Sequence, residues 1–357
     1  MKATESATAP MSSLQRVLTT LRQDEPDRVP LFLLLTLHGA KELGLSIRDY
    51  FASAEHVIEG QRRLRQKYAN DCYYAFFYAA IETEAWGADV IFTEDGPPNC
   101  AGPLVSELAA IRALQPPRVS ESPCLQRVLT TIAGLRAQDA DTPIIGVVMS
   151  PFSLPVMQLG FEGYLKLMLE HEALFHHLMQ LNEQFCIEWA NAQLNAGATA
   201  ICYFDPVASS TISTPGDFRR LGHPVACRTI AAIAGPVATH FASGRCLNII
   251  DDLPATGTAV IGVSTDEDLA ELKRTAAGRL TLLGNLNGIA MRSWRPQQAA
   301  AEVKRAIAAA GPGGGFILAD NHGEVPIQVP DETLRAIADA TARWGRYPLD
   351  WITQASS

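Results

Sequence analysis

Eight apolar runs of this chain end in residues able to do chemistry: His38, Tyr78, Ser150, Asp205, His240, Ser264, Asn285 and His322. A phenol or carboxyl gives or takes a proton, and imidazole changes charge near neutrality. Hydroxyl and amide groups fix substrates by hydrogen bonds. Each such residue also has a plainer use. Tyr78 can be a pocket wall, Asp205 can accept backbone N–H bonds to fix its loop, and a histidine can be a hydrogen-bonded mouth residue. Groups so far apart in sequence act together only if the fold carries them to one place.

The elements that would do so follow a regular rhythm. PLFLLLT (30–36), CYYAFF (72–77), IIGVVM (144–149), ATAICYF (198–204), PVATH (236–240), AVIGV (259–263), LTLLGN (280–285) and FILAD (316–320) have strand length and continuous apolar character. Strands covered on both faces read this way. Helix-like segments separate them, including SAEHVIEGQRRLRQKY, the region of Leu125 to Leu135, and one or two helices over 163–197. The pattern predicts an α/β fold, a single (β/α)8 TIM barrel with an N-terminal helical extension, and such a barrel gathers strand endings at one mouth. The extension is a helix capped by Ser12 or Ser13; residues 1–12 read as a flexible tail and 13–357 as the barrel domain. ADVIFTEDGPPNCAGPLV reads as a hairpin or extended excursion after the second strand.

Composition narrows the function classes. The 357 residues are 47% hydrophobic and 19% charged, enough for a large core, with a formal net charge of −9. No basic stripe is present, so nucleic acid is not expected as a partner. Seven scattered cysteines without a CxxC pair suit a reducing cytoplasm, and no run is long enough to span a membrane. The one glycine cluster, GPGGG at 311–315, precedes the last strand and reads as a tight entry turn rather than a phosphate cradle. Cys246 reads as packing, and His171, His176 and His177 as residues of a long helix.

Several motifs carry a family resemblance. DRVPLF, DCYYAFFYAAIETEAWGADVIF, SPFSLPVMQLGFEGY, DPVASSTISTPGDFRRL, PVATHFASG, GNLNG and NHGEVPIQVPDETL resemble, in order and spacing, the uroporphyrinogen decarboxylase superfamily over essentially the whole chain. ETEAWGADV and DPVAS…ISTPGDF are more similar to its methylcobamide:coenzyme M methyltransferase branch. The resemblance implies the barrel fold, an active site at the strands' carboxyl ends and a tendency to form homodimers.

Departures from both branches limit the activity that the resemblance implies. The decarboxylases' substrate-binding arginines match Thr36 and Ala40 here, their catalytic aspartate matches Tyr78, and their active-site tyrosine matches Met157. A polycarboxylate would lose its charge-assisted partners at those places. The methyltransferases bind zinc through His-x-Cys and a distant cysteine; the matching positions read His240-Phe241-Ala242 and His322. Imidazoles in place of thiolates would leave a bound ion a stronger Lewis acid. His38 is a candidate third imidazole, with Glu82, Asp205 or Asp320 as carboxylate ligand or orienter. His322 also matches a substrate-contacting histidine of the decarboxylases.

The expectation is therefore an enzyme acting on a methyl group or small organic substrate. Tyr78, Asp205 and His322 are its candidate catalytic residues, and His38, Met157 and Asn285 its candidate substrate contacts. His240, His322, His38 and Glu82 are the candidate ligands of a divalent metal, zinc first. A corrinoid would come only on a separate protein. The alternatives are a metal-free decarboxylase or lyase for a small carboxylic acid, and a non-catalytic corrinoid or tetrapyrrole binder.

Overall fold

The computed structural model of the chain describes residues 10–75, 77–321 and 323–354. Most of the expected tail, and His322, lie outside the described residues. Among the described residues ten strands form in chain order: β1 (Leu31–Phe32), β2 (Tyr73–Tyr74), β3 (Val90–Ile91), β4 (Asn99–Cys100), β5 (Ile144–Met149), β6 (Ala200–Phe204), β7 (Val237–His240), β8 (Val260–Gly262), β9 (Thr281–Leu286) and β10 (Phe316–Asp320). Eight of them make one parallel sheet in the order β1-β10-β9-β8-β7-β6-β5-β2, and β3 and β4 pair antiparallel as the expected hairpin. With helices between the parallel strands, this is the predicted (β/α)8 architecture.

The sheet's two end strands, β1 and β2, are joined by one backbone bond and by side chains. The Asp71 amide donates to the Leu31 carbonyl at 2.8 Å. The Asp71 carboxylate accepts the Leu31 amide at 2.9 Å. One residue earlier, the Asn70 carboxamide accepts from the Leu33 amide at 3.1 Å and donates to the Leu33 carbonyl at 2.9 Å. A carboxamide carries the same donor and acceptor as a peptide, so Asn70 supplies the rungs that a longer ladder would give. The run expected as a seven-residue strand at 30–36 is thus a two-residue strand whose continuation pairs with side chains.

The N-terminal extension is the helix Ser13–Leu21. Its Ser12 hydroxyl accepts from the Gln15 amide, and the Gln15 side chain returns to the Ser12 amide, which satisfies two otherwise orphaned donors. The helix is tied to the seam. Arg16 reaches Asp71 at 2.6 Å and Asp27 at 2.7 Å, Arg28 reaches Asp71 at 2.7 Å, and the Ser13 hydroxyl donates to Asp71 at 3.0 Å. Asp71 is 1% exposed. Inside the barrel, Phe32, Tyr74, Ile145, Cys202, Leu283 and Ile317 make an apolar plug, while two larger clusters lie between the sheet and its helices. No helix is long and apolar enough to cross a membrane among the described residues.

Candidate active site

A cavity of about 200 Å³ opens above the barrel plug. Val147, Met149, Cys202, Phe204 and Leu283 give its floor and walls from the strands, while Pro97, Pro98 and Asn99 of the β3–β4 hairpin cover it. The hairpin is fastened on both sides. Phe92 packs edge-on against Tyr78 beneath the Arg48 guanidinium, and the Gln328 amide donates to the Asp95 carbonyl at 2.6 Å.

Four lining residues carry acid or base chemistry besides the phenols of Tyr74 and Tyr78: Glu82, His240, Asp320 and Glu324. Glu82 sits in the short helix Ile81–Ala85 just past β2 and is 3% exposed. One of its oxygens accepts the Met149 amide at 2.9 Å, at the end of neighbouring β5. Its Oε2 is buried with no protein group in hydrogen-bond geometry; the Trp189 indole N–H is near but likewise unpaired. Burial pushes this carboxyl up to about 8, against the opposing pull of the Met149 amide and the Trp189 indole. Glu82 is therefore mostly protonated at neutral pH.

Glu324 follows β10 and accepts the Thr36 hydroxyl and, at 3.2 Å, the Leu37 amide. Burial raises it to about 8, and Asp320 nearby adds to the rise while the Leu37 amide lowers it. Asp320, the last residue of β10, accepts the Leu34 and Gly323 amides, each at 3.3 Å. The loop after β10 is thereby joined to the turn after β1. Thr36, at a position where the resemblance implies an arginine for substrate carboxylates, receives one of the protein's own carboxyls.

His240 ends β7 and is held on both sides. Its ring stacks on Phe204 at 5.4 Å with 23° between the planes, and Gly262 of β8 lies against the other side, where an added Cβ would stand 2.6 Å from the imidazole Cδ2. Ala242, in the left-handed region at φ 53°, directs its amide to Nδ1 at 3.0 Å. Because Nδ1 accepts, the neutral ring carries its proton on Nε2.

That geometry tests the expected metal centre. A metal-bound imidazole coordinates through one nitrogen and donates its other N–H outward; here the second nitrogen accepts. The partner position holds Ala242 rather than a thiolate, and among the described residues no group of three His, Cys, Asp or Glu side chains converges to hold an ion. The described donors do not fit a three-ligand zinc site.

Other expected contacts are placed elsewhere. His38 begins the helix His38–Leu43, because the chain leaves β1 after two residues and turns before reaching it. It does not line the cavity with His240; it lies beside Lys41, Lys67, Asp331 and the Val329 backbone, and burial pushes its imidazole down to about 4, so it is neutral. Asp205 also lies outside the lining. Cys202 and Phe204 of β6 face the cavity, so parity turns the residue after Phe204 away from it. Asp205 accepts the hydroxyls of Ser150 at 2.7 Å and Ser153 at 2.6 Å and so fastens two adjacent loops; burial raises it to about 6 against those bonds. Asn285 donates to the Ser264 carbonyl at 2.9 Å, another loop-to-loop tie, and Met157 packs against the apolar cluster behind β5. Neither is among the lining residues. Tyr78 does line the cavity, but its hydroxyl donates to Glu84 at 2.5 Å, which makes it a wall.

Sequence reasoning missed Glu324, which has no periodic or motif signal beyond its place in NHGEVP. It named Asp320 and Glu82 only as metal ligands or orienters.

The fold and the cavity define a parallel-barrel protein with an acid-bearing pocket at the carboxyl ends of its strands, the usual active-site location in this architecture. Comparison with known proteins identifies the lineage: residues 12–344 match the family described as uroporphyrinogen decarboxylase (URO-D), and the chain belongs to that family. Uroporphyrinogen decarboxylase of Ralstonia pickettii is 25% identical over 92% of this chain and 95% of its own length. The methylcobamide:CoM methyltransferase of Methanosarcina barkeri is 28% identical over 56% of this chain and 58% of its own length. A methyltransferase from Methanosarcina mazei has the same fold, with a TM-score of 0.83 at 19% identity, covering 93% of this chain and 99% of that one.

Proposed function

We propose that the protein is an enzyme that transfers or removes a methyl or other small group on a small organic substrate, with Glu82 as the proton donor. The supporting observation is the Glu82 carboxyl itself: buried, held near 8, bonded through one oxygen only and lining an apolar cavity. A neutral carboxylic acid in such a place delivers its proton to a leaving group or a transient carbanion. His240, with its proton on Nε2 and its ring clamped, is the second polar contact for the substrate. Tyr78, Phe204 and the hairpin prolines exclude water around it.

Porphyrinogen decarboxylation fits poorly. The cavity of about 200 Å³ falls below the roughly 300 Å³ at which drug-sized pockets begin. Among the described residues no lysine or arginine lines it to receive a carboxylate. Methyl transfer is in keeping with the methyltransferase relatives.

The deciding experiment incubates the protein with methylated amines, ethers and thioethers, small carboxylic acids and uroporphyrinogen, with and without added zinc and cobalamin, and identifies products by mass spectrometry. Turnover of a small substrate is expected, falling by about 100-fold or more in Glu82→Gln. Turnover confined to uroporphyrinogen would overturn the reading. Stoichiometric zinc in untagged protein that is lost in His240→Ala would overturn the reading of His240 as a substrate contact.

A further inference from the structure

We propose that the cavity takes an uncharged, mostly apolar molecule of the size of a benzene ring with one small substituent. Its substrate is then an ether or thioether rather than an ammonium ion or a carboxylate. This rests on the reading of the cavity as the substrate site. Each carboxyl at the cavity is bonded to the protein itself. Asp320 receives an amide at both oxygens, from Leu34 at Oδ1 and from Gly323 at Oδ2. Glu324 Oε1 receives the Thr36 hydroxyl and the Leu37 amide. Glu82 Oε1 receives the Met149 amide, and its Oε2 is buried. The His240 ring is kept uncharged by the Ala242 amide, which donates to Nδ1 at 3.0 Å. Among the described residues no lysine or arginine lines the cavity.

A charged ligand would therefore give up its hydration without gaining an opposite charge, and an unpaired ion in apolar surroundings is far costlier than an unpaired hydrogen-bonding group. An anion would stand among carboxyls. A cation would have to draw Asp320 from its two amides, or ionise Glu82 or Glu324, both held near 8 by burial. An uncharged molecule asks for neither and leaves Glu82 the proton it is to donate.

The walls set the size and polarity. Ile81, Val147, Met149 and Leu283 line the cavity with Pro97 and Pro98 of the hairpin, surfaces that gain by covering carbon rather than a hydrated group. An apolar protein cavity of about 150 Å³ accepts benzene. The cavity of about 200 Å³ here has room for the ring and one substituent. Ethers and thioethers carry a methyl group on an uncharged atom and meet these terms; methylated ammonium ions and carboxylates do not.

Isothermal titration calorimetry of the full chain with toluene, benzoate and benzylammonium at neutral pH and matched ionic strength tests this. The three probes share a ring and differ in charge, and toluene carries no group to transfer, so its heat reports binding alone. Toluene should bind with a negative heat-capacity change, the mark of apolar burial, and both ions at least about tenfold more weakly. Val147→Phe and Ala79→Phe, which fill the cavity from two sides, should weaken toluene by about tenfold or more in whichever variant keeps the natural circular dichroism spectrum. Either ion binding as tightly as toluene, no binding of toluene, or toluene affinity unchanged in both folded variants would overturn the proposal. Turnover of methylated amines or carboxylic acids in place of ethers and thioethers would overturn it too, while leaving the enzymatic reading intact. Cavity-dependent toluene binding in a protein that turns over no compound would instead defeat the enzymatic reading and leave the uncharged-ligand site standing.

Discussion

Glu82 is held in its neutral form because burial outweighs the opposing pull of the Met149 amide and the Trp189 indole: it is 3% exposed, and no cation stands against it. The consequence for stability has a definite sign. Its folded-state value of about 8 lies above the ordinary 4.5, so through that window the native state keeps a proton that the unfolded chain has released. The associated stability is complete below the unfolded value and is lost as pH rises through the folded one. Glutamine cannot titrate, so Glu82→Gln escapes this loss. Urea unfolding at pH 5.5 and 8.5 should show the variant gaining on the natural protein, on the order of a few kcal/mol, as pH rises. A difference independent of pH would mean that Glu82 is already ionised in the native state. Glu324 titrates in the same range and remains in both proteins, so it cancels from the comparison.

At the scale of elements, adjacent strands set which residues reach the cavity. β6 and β8 flank β7, and together they clamp His240 between the Phe204 ring and the bare Gly262 Cα. Gly262→Ala would put a methyl 2.6 Å from the imidazole, so the ring must leave Phe204 and its bond from Ala242. Overpacking of this kind costs about 1–3 kcal/mol. The expected result is a lower unfolding midpoint together with a shifted His240 side-chain resonance; an unchanged resonance would show that the ring is not clamped. This geometry also explains why strand endings were legible as positions but not as roles. Apolar runs mark where strands stop, yet whether the next side chain enters the mouth or fastens a neighbouring loop depends on parity and on what stands one strand away. Asp205 falls on the far side of Phe204 and meets Ser150 and Ser153, and Asn285 meets the Ser264 carbonyl, pairings between residues remote in sequence. His38 misses the mouth because β1 ends early, which a seven-residue apolar run does not reveal.

For the molecule as a whole, the barrel's architecture and family were readable from eight apolar runs and a handful of motifs, whereas its closure was not: the seam depends on Asn70 and Asp71, two polar residues before β2 that resemble an ordinary turn. Asp71 concentrates the seam's interactions. It is 1% exposed and accepts from the Leu31 amide, the Ser13 hydroxyl and the guanidinium groups of Arg16 and Arg28. The N-terminal helix therefore acts as a clasp across the two end strands. Asp71→Ala removes the one anion shared by both arginines; Arg16 keeps Asp27, but Arg28 is left with the Val29 carbonyl alone and the Leu31 amide loses its acceptor. Breaking a buried charged network from one side costs about 3–5 kcal/mol. Asp71→Asn, which keeps an acceptor oxygen without the charge, should cost less. Amide hydrogen exchange should quicken first at Leu31 and Leu33 and through the helix Ser13–Leu21, ahead of the β5–β9 ladder, whose strands pair with neighbours on both sides. Uniform quickening around the whole sheet would show instead that the clasp and the barrel unfold as a single unit.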